Sequence, residues 1–368
     1  MTDEVIIDNE KYFTLFEQFT KEKENEPKLD MNISSRVLII DFLNMFIRSF
    51  TGSPAMNDDG EHCGGITGFL YSMGNAIRLT QATRCILVAD GEGGSARRRK
   101  IFPDYKNKSK AKSLNRAYDF KDKDEEERAM QLQLVRLLQY LNHLPVQVIS
   151  IEHTEADDII AYLAQEVFNK LEQKVTIVSS DKDFLQLVDD RITVWSPTKK
   201  KLYSYAKIVE EYGITPKNFL LYRMLDGDPS DNIPGVKGIG LKTMRKFLPL
   251  VTEDKKYTIE EVLEYAEKSN SGKKKKTFYT HLLESKEILR LNEQLMQLES
   301  PSISAFTKMK VTEKVMETEI PTLNKYDLHL MYIHDKLSNA IPNIEEWLLK
   351  TFNILNSFAI NQKSKSGE

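Results

Sequence analysis

Two cysteines are all that 368 residues contain. They cannot build a disulfide framework, which agrees with a reducing compartment. No apolar run approaches the roughly 18 residues that a membrane-spanning helix needs, so no membrane partner is expected. The opening MTDEVIIDNEKYF carries acids where a secretory signal would be cationic, and the expected location is the cytoplasm. Histidine is scarce at six residues, and His62-Cys63 is an adjacent pair rather than a metal-ligand spacing. Gly91, Gly93 and Gly94 lack the spacing of a dinucleotide fingerprint, and arginines follow where an apolar helix start belongs. Positive charge is not in excess either. With 52 Lys+Arg against 55 Asp+Glu the formal net charge is −3, which as a total argues against a nucleic-acid binder. Positions matter more than the total.

Hydrophobic residues make up 40% and charged residues 29% of the chain, the proportions of a globular protein. Residues 1–35 read as an extension and linker, ending in the polar stretch KEKENEPKLD and its neighbours. Five short β-branched runs follow: RVLIID to Asp41, RCILVAD to Asp90, VQVISI to Ile151, KVTIVSSD to Asp181 and ITVWS to Ser196. Apolar stripes at helical spacing lie between them, at residues 66–77, 134–141 and 159–167. Thr154 and Asp157 have the spacing of a capping box. Strands alternating with helices predict an α/β fold with a mixed, mainly parallel central sheet flanked by helices. After Pro197 the pattern turns helical. Thr215-Pro216 and Gly240 mark helix starts, and amphipathic segments cover 279–298, 324–338 and 343–358 before a polar tail, NQKSKSGE, that reads as disordered.

Ligands of open parallel sheets bind beyond the carboxyl ends of the strands. Four strand ends here carry acids: Asp41; Asp90; Glu155, Asp157 and Asp158; Asp181 and Asp183. Asp228 and Asp231 follow in GDPSDN. Any one of these could be an ordinary turn former or helix cap, but their convergence would bring together carboxylates that repel without cations. Oxygen donors with no histidine or cysteine suit magnesium or manganese. Two such ions are the usual machinery for in-line attack of water on a phosphodiester.

The opposite charge is concentrated elsewhere. Residues 97–116, RRRKIFPDYKNKSKAKSLNR, hold nine Lys+Arg and one acid, a local charge of +8 with Phe102 and Tyr105 interleaved. A long basic loop after an active-site strand reads as a phosphate-binding gate. In GDPSDNIPGVKGIGLKTMRKFL, residues 227–248, the glycines Gly235, Gly238 and Gly240 precede a helix with Lys242, Arg245 and Lys246. Such a turn lets backbone N–H groups approach a phosphate, with Lys237 beside them.

Asp41, the VAD ending at Asp90, Tyr105-Lys106, Glu155-Ala156-Asp157-Asp158, Ser180-Asp181-Lys182-Asp183-Phe184 and the GDPSDN stretch with its glycine hairpin resemble the 5′ nuclease superfamily. The superfamily includes flap endonucleases and the 5′-to-3′ exonuclease domains of bacterial DNA polymerases. Trp195-Ser196-Pro197 with Lys199 to Lys201 is most similar to its bacteriophage members, the phage ribonuclease H type among them. The resemblance implies a core at 36–212 with a gate at about 97–130, a helix-hairpin-helix region at 213–253 and a helical region at 254–368. It implies two Mg2+ ions, with Mn2+ as a substitute: Asp41, Asp90, Glu155, Asp157 and Asp181 at the first, Asp158 close by, and Asp183, Asp228 and Asp231 at the second. Lys106 and Arg98 would contact the scissile phosphate, with Arg97 and Arg99 as rivals of Arg98. Arg97, Arg99, Lys108, Gly235, Lys237, Gly238, Gly240, Lys242 and Arg245 would bind DNA, with K+ expected at the hairpin. The implied substrates are DNA with a 5′ flap or end and RNA-DNA hybrids. A single-strand-binding protein and a sliding clamp are candidate partners of a monomer working in the host cytoplasm. Two rival readings are a non-catalytic junction-binding scaffold and a ribonuclease of the related PIN group, which generally lacks the glycine hairpin.

Overall fold

The computed structural model of the protein describes residues 36–107, 115–272, 276–299 and 301–366. Lys108 and the extension at 1–35 lie outside these described residues. The first strand, β1 (Arg36–Asp41), is apolar at every position between its charged ends and lies at the centre of the sheet. Its side chains alternate between two cores. Val37 and Ile39 face one apolar layer and Leu38 and Ile40 the other, as the period of two requires for a strand buried on both faces. Helices α1 (Phe42–Gly52) and α2 (Gly64–Thr80) cover the second layer. Strand β2 (Arg84–Ala89) pairs parallel with β1. A short helix α3 (Ala96–Ile101) and a turn precede the longer α4 (Lys123–Leu141), which begins on the Asp122 side-chain cap.

Strand β3 (Gln147–Ser150) joins the outer side of β2, and α5 (Ala156–Tyr162), extended by a π-helical turn Leu163–Val167, crosses the first layer. Strand β4 (Lys174–Val178) pairs with the free side of β1, and β5 (Ile192–Ser196) pairs with β4. The order β3-β2-β1-β4-β5-β6 therefore reverses direction between β1 and β4. That switch point opens a crevice at the carboxyl ends of the strands, where the acids sit. The mixed, mainly parallel sheet is as expected. Its antiparallel member, β6 (Lys201–Tyr203), was not among the five expected strands, because three residues are too few to show a period.

Helices α6 (Tyr205–Tyr212), α7 (Phe219–Asp226) and α8 (Leu241–Phe247) lead into α9 (Ile259–Ser269), α10 (Thr277–Glu284), α11 (Lys286–Met296) and α12 (Ala305–Met316), all sharing the first apolar layer. Helices α13 (Lys325–His334) and α14 (Ile344–Ser366) return to the second layer.

Several local readings need correction. The segment 279–298 is two helices broken at Ser285. The capping box is not formed, since Glu155 is the cap of α5 and Thr154 Oγ1 donates to Glu152 O instead. Thr215-Pro216 opens a 3₁₀ turn, with α7 starting only at Phe219. The polar tail extends α14 through Ser366.

Phe352 and Leu355 are buried against α2, and Arg78 Nη1 donates to Thr351 Oγ1 at 2.6 Å. The apolar run at 352–358 thus packs α14 onto the core. Phe352→Ala should lower the unfolding free energy by about 3 to 5 kcal/mol in chemical denaturation. Leu349→Ala, at a position 53% exposed on the same helix, should change it by less than about 0.5 kcal/mol.

Candidate metal centre and nucleic-acid surface

Strand ends and one loop bring the expected acids together. Asp41 ends β1 and caps α1, accepting from Asn44 N at 3.2 Å and from Ser179 Oγ at 2.9 Å. Asp90 follows β2 and accepts from Ala156 N at 2.7 Å, so it pins the start of α5. Asp181 follows β4 and accepts from Asp183 N at 2.8 Å. One oxygen from each of Asp181, Asp183 and Asp228 lies within 4.8 Å of the others, all half-buried and with metal-ligand spacing.

Electrostatics extend this group. Burial raises Asp41 to about 7, with Asp181 and Asp90 adding to the rise. Burial, then Asp181 and Asp41, push Asp157 well above the usual carboxylate range. Burial and Asp181 raise Asp183 to about 7 despite Arg223. Asp231 is raised to about 6, by burial against the opposing pull of Lys106. These groups feel one another across a partly dry pocket.

Arg223, which sequence reasoning missed, is the guanidinium inside the group. It is nearly buried, and it donates from Nε to Asp183 at 2.6 Å and from Nη2 to Asp228 at 2.7 Å. Burial would raise Asp228, but Ser230 and Arg223 outweigh that and hold it low. Nothing in the pattern of α7 marks Arg223 except its place five residues before Asp228.

Glu155 and Asp158 belong to a second group. Arg98 is 2% exposed and forks onto Asp158, Nη1 to Oδ2 at 2.8 Å and Nη2 to Oδ1 at 3.0 Å. Its Nη1 also bonds Glu155, and its Nε donates to Leu295 O at 2.8 Å. Both Asp158 oxygens are engaged by an arginine, and Arg98 is a buried brace between α3, α5 and α11. Arg97 is half-buried, 3.6 Å from Asp158, and Arg99 is exposed. Glu155 also accepts from Lys106 Nζ at 2.9 Å and from Tyr105 OH at 3.1 Å. Burial alone would raise Glu155, but Arg98 and Lys106 outweigh it and hold the carboxyl low. Lys106 is only half-buried and lies at the rim of the acid group.

The glycine hairpin connects α7 to α8. Gly235 has no room for a side chain, since a Cβ would lie 2.3 Å from Asp226 O, and Gly238 needs its φ of +76°. Gly240 is different. Its surroundings are open, its φ of −123° suits any residue, and its N–H donates to Thr243 Oγ1 at 2.9 Å, so it is not a free phosphate donor. Lys237, Lys242 and Arg245 are exposed around the turn. Pro234 O and Lys237 O meet Asn292 Nδ2 at 2.7 Å and His281 Nδ1 at 2.9 Å.

Residues 36–213 match the model of the 5′-3′ exonuclease N-terminal resolvase-like domain, and residues 214–317 that of the 5′-3′ exonuclease C-terminal SAM fold. The chain belongs to the 5′-3′ exonuclease family. It is 34% identical over 216 residues to the 5′-3′ exonuclease of Buchnera aphidicola subsp. Schizaphis graminum, spanning 57% of this chain and 70% of that one. It is 27% identical over 302 residues to that of Aquifex aeolicus, spanning 81% and 92%. The bacteriophage T5 flap endonuclease, solved with DNA and metal ions, shares the fold at a TM-score of 0.56 and 19% identity, covering 83% of this chain and 99% of its own. The two matched models fall on the sheet with its acids and on the helices that follow it.

The raised carboxyls set the sign of a pH effect. Their folded pKa values lie above the unfolded value of about 3.9, so without metal they reduce stability as pH rises from about 4 through 7. A divalent cation competes with protons for the same oxygens. A Mn2+ concentration about 100 times the Kd at pH 8 should therefore stabilise the fold by about 3 kcal/mol at that pH, and the same concentration clearly less at pH 6. Thermal melts in Mn2+ and in EDTA at both pH values check this. An equal shift at the two pH values would count against metal binding by these acids.

Proposed function

We propose that this 5′-3′ exonuclease family member is a magnesium-dependent, structure-specific nuclease that hydrolyses phosphodiesters at 5′ ends or flaps on duplex DNA. One observation carries the reading: Asp41, Asp90, Asp157, Asp181, Asp183, Asp228 and Asp231 gather in one crevice, with the Arg223 guanidinium among them. Such a group suits hard divalent cations, because all its donors are carboxylate oxygens. Asp181, Asp183 and Asp228 would hold one ion and Asp41, Asp90, Asp157 and Asp181 the other, with Asp231 at the edge. When bound, two such ions supply a water of lowered pKa and charge stabilisation at the leaving 3′ oxygen.

The chain's own residues do the rest. Lys106 exchanges its Glu155 partner for the scissile phosphate and adds positive charge where the transition state gains negative charge. Arg98 keeps Glu155 and the α5 start in place during that exchange. Lys237, Lys242 and Arg245 hold the backbone of the downstream duplex, and Arg97 and Arg99 approach the strand entering the gate. The chemistry makes no use of a 2′-OH, which supports RNA primers on DNA as further substrates, as in primer removal during phage replication. A single-strand-binding protein and a sliding clamp fit such a role as partners.

Cleavage of 5′-labelled flap, nicked, gapped and RNA-primed duplexes with and without Mg2+ tests the reading. Metal-independent or absent cleavage of all of them would overturn it. Asp181→Asn should leave DNA affinity within about twofold and lower cleavage by three orders of magnitude or about that, as loss of a metal ligand requires. Lys106→Ala should lower kcat far more than it raises KM, read from single-turnover rates.

A further inference from the structure

The loop that carries Asp228 has a second engagement. Its ends are closed by Asp228 N to Ile233 O at 3.0 Å and Ile233 N to Asp228 O at 2.8 Å. Ser230 N donates across the loop to Asp228 Oδ1 at 2.7 Å. The tip, Asp231 and Asn232, reaches a turn far away in sequence. Lys106 N donates to Asp231 O at 2.9 Å, and Asn232 Nδ2 donates to Asp104 O at 3.0 Å.

The backbone says why that contact matters. Lys106 has a φ of 53° and Asn232 a φ of 66°. Asparagine tolerates the left-handed region because its short side chain finds local hydrogen bonds, whereas a lysine there must be held by its surroundings. Two of the holders on the Lys106 turn come from the Asp228 loop. From this conformation the Lys106 side chain passes over the Tyr105 ring, 5.1 Å from its centroid, and places Nζ 2.9 Å from Glu155 Oε1.

We propose that Asn232 is a positioning residue for Lys106. Its carboxamide on Asp104 O, with the preceding carbonyl on Lys106 N, keeps the turn in the conformation from which the ammonium reaches the rim of the acid group. One six-residue loop therefore sets both Asp228 at its base and the lysine at its tip, so the spacing between the metal ligands and the phosphate-contacting cation is built into a single element. The same loop runs directly into the hairpin that carries Lys237. The proposal rests on the reading of Lys106 as the phosphate-contacting group.

Asn232→Gly tests it, because glycine keeps the left-handed backbone and removes only the carboxamide. kcat on a flap substrate should fall about 10- to 100-fold, as expected for a misplaced catalytic group, while KM changes little. In a Lys106→Ala background the same change should bring no further loss, since the group it positions is gone. The Mn2+-induced rise in melting temperature should match the parent protein's, which shows that the loop and Asp228 are intact. Losses that multiply in the double variant, a defect confined to KM, or a missing Mn2+ response would overturn the proposal. If Lys106→Ala itself keeps full turnover, the reading of Lys106 fails and the positioning role with it. A crippled Lys106→Ala beside an unaffected Asn232→Gly defeats the positioning role alone.

Discussion

The mutual repulsion of Asp41, Asp90, Asp157, Asp181, Asp183, Asp228 and Asp231 is only partly answered by the protein's own cations. Arg223 bridges Asp183 and Asp228, and Lys106 reaches toward Asp231 from the rim. The rest of the repulsion is expressed as carboxyls raised toward neutrality. A fold gains nothing by gathering such groups in a partly dry crevice. It can tolerate them because the sheet beneath is buried on both faces and anchored by two apolar layers. The stability of the core thus permits the strain of the site.

Beside this group lies a balanced one. Arg98 and Lys106 together match Glu155 and Asp158, so the buried brace adds almost no net charge next to the acids. Removing one member of a buried ion pair costs about 3 to 5 kcal/mol, while the intact pair contributes little net stability. Its value is geometric. It locks the basic α3 to α5 and α11. Of the two cations Arg98 is buried and Lys106 is open to solvent.

The net charge of −3 follows from this division of labour. Acids collect in the crevice, and lysines and arginines of α3 and the hairpin are exposed away from it. A total cannot express that segregation, since it adds groups that face different solvents and partners.

Much of this was legible in one dimension. Runs such as RVLIID and KVTIVSSD combine β-branched residues with a terminal acid, so both the parallel sheet and the placing of Asp41 and Asp181 at strand ends follow from local pattern. Gly235 was legible as a turn glycine, but the close approach of Asp226 O that leaves no room for its side chain was not. What the pattern could not show were relations between distant residues. Nothing in RRRK distinguishes Arg98, the buried brace, from the exposed Arg99, because the choice depends on which side of a six-residue helix meets α5 and α11. Asp157 and Asp158 are neighbours in the chain, yet a helix turns one toward Asp181 and Asp41 and the other toward Arg98. Arg223 carries no motif of its own, and Asn232 ends GDPSDN with nothing in the pattern to mark its partner; folding alone brings Asp183 and Asp104 to them. Local pattern determined the strands and where along the chain the acids that end them lie, because a strand's period and its terminal residue are properties of neighbouring positions. Tertiary packing alone decided which charges are paired and which cation stays open to solvent, because those depend on residues far apart in the chain.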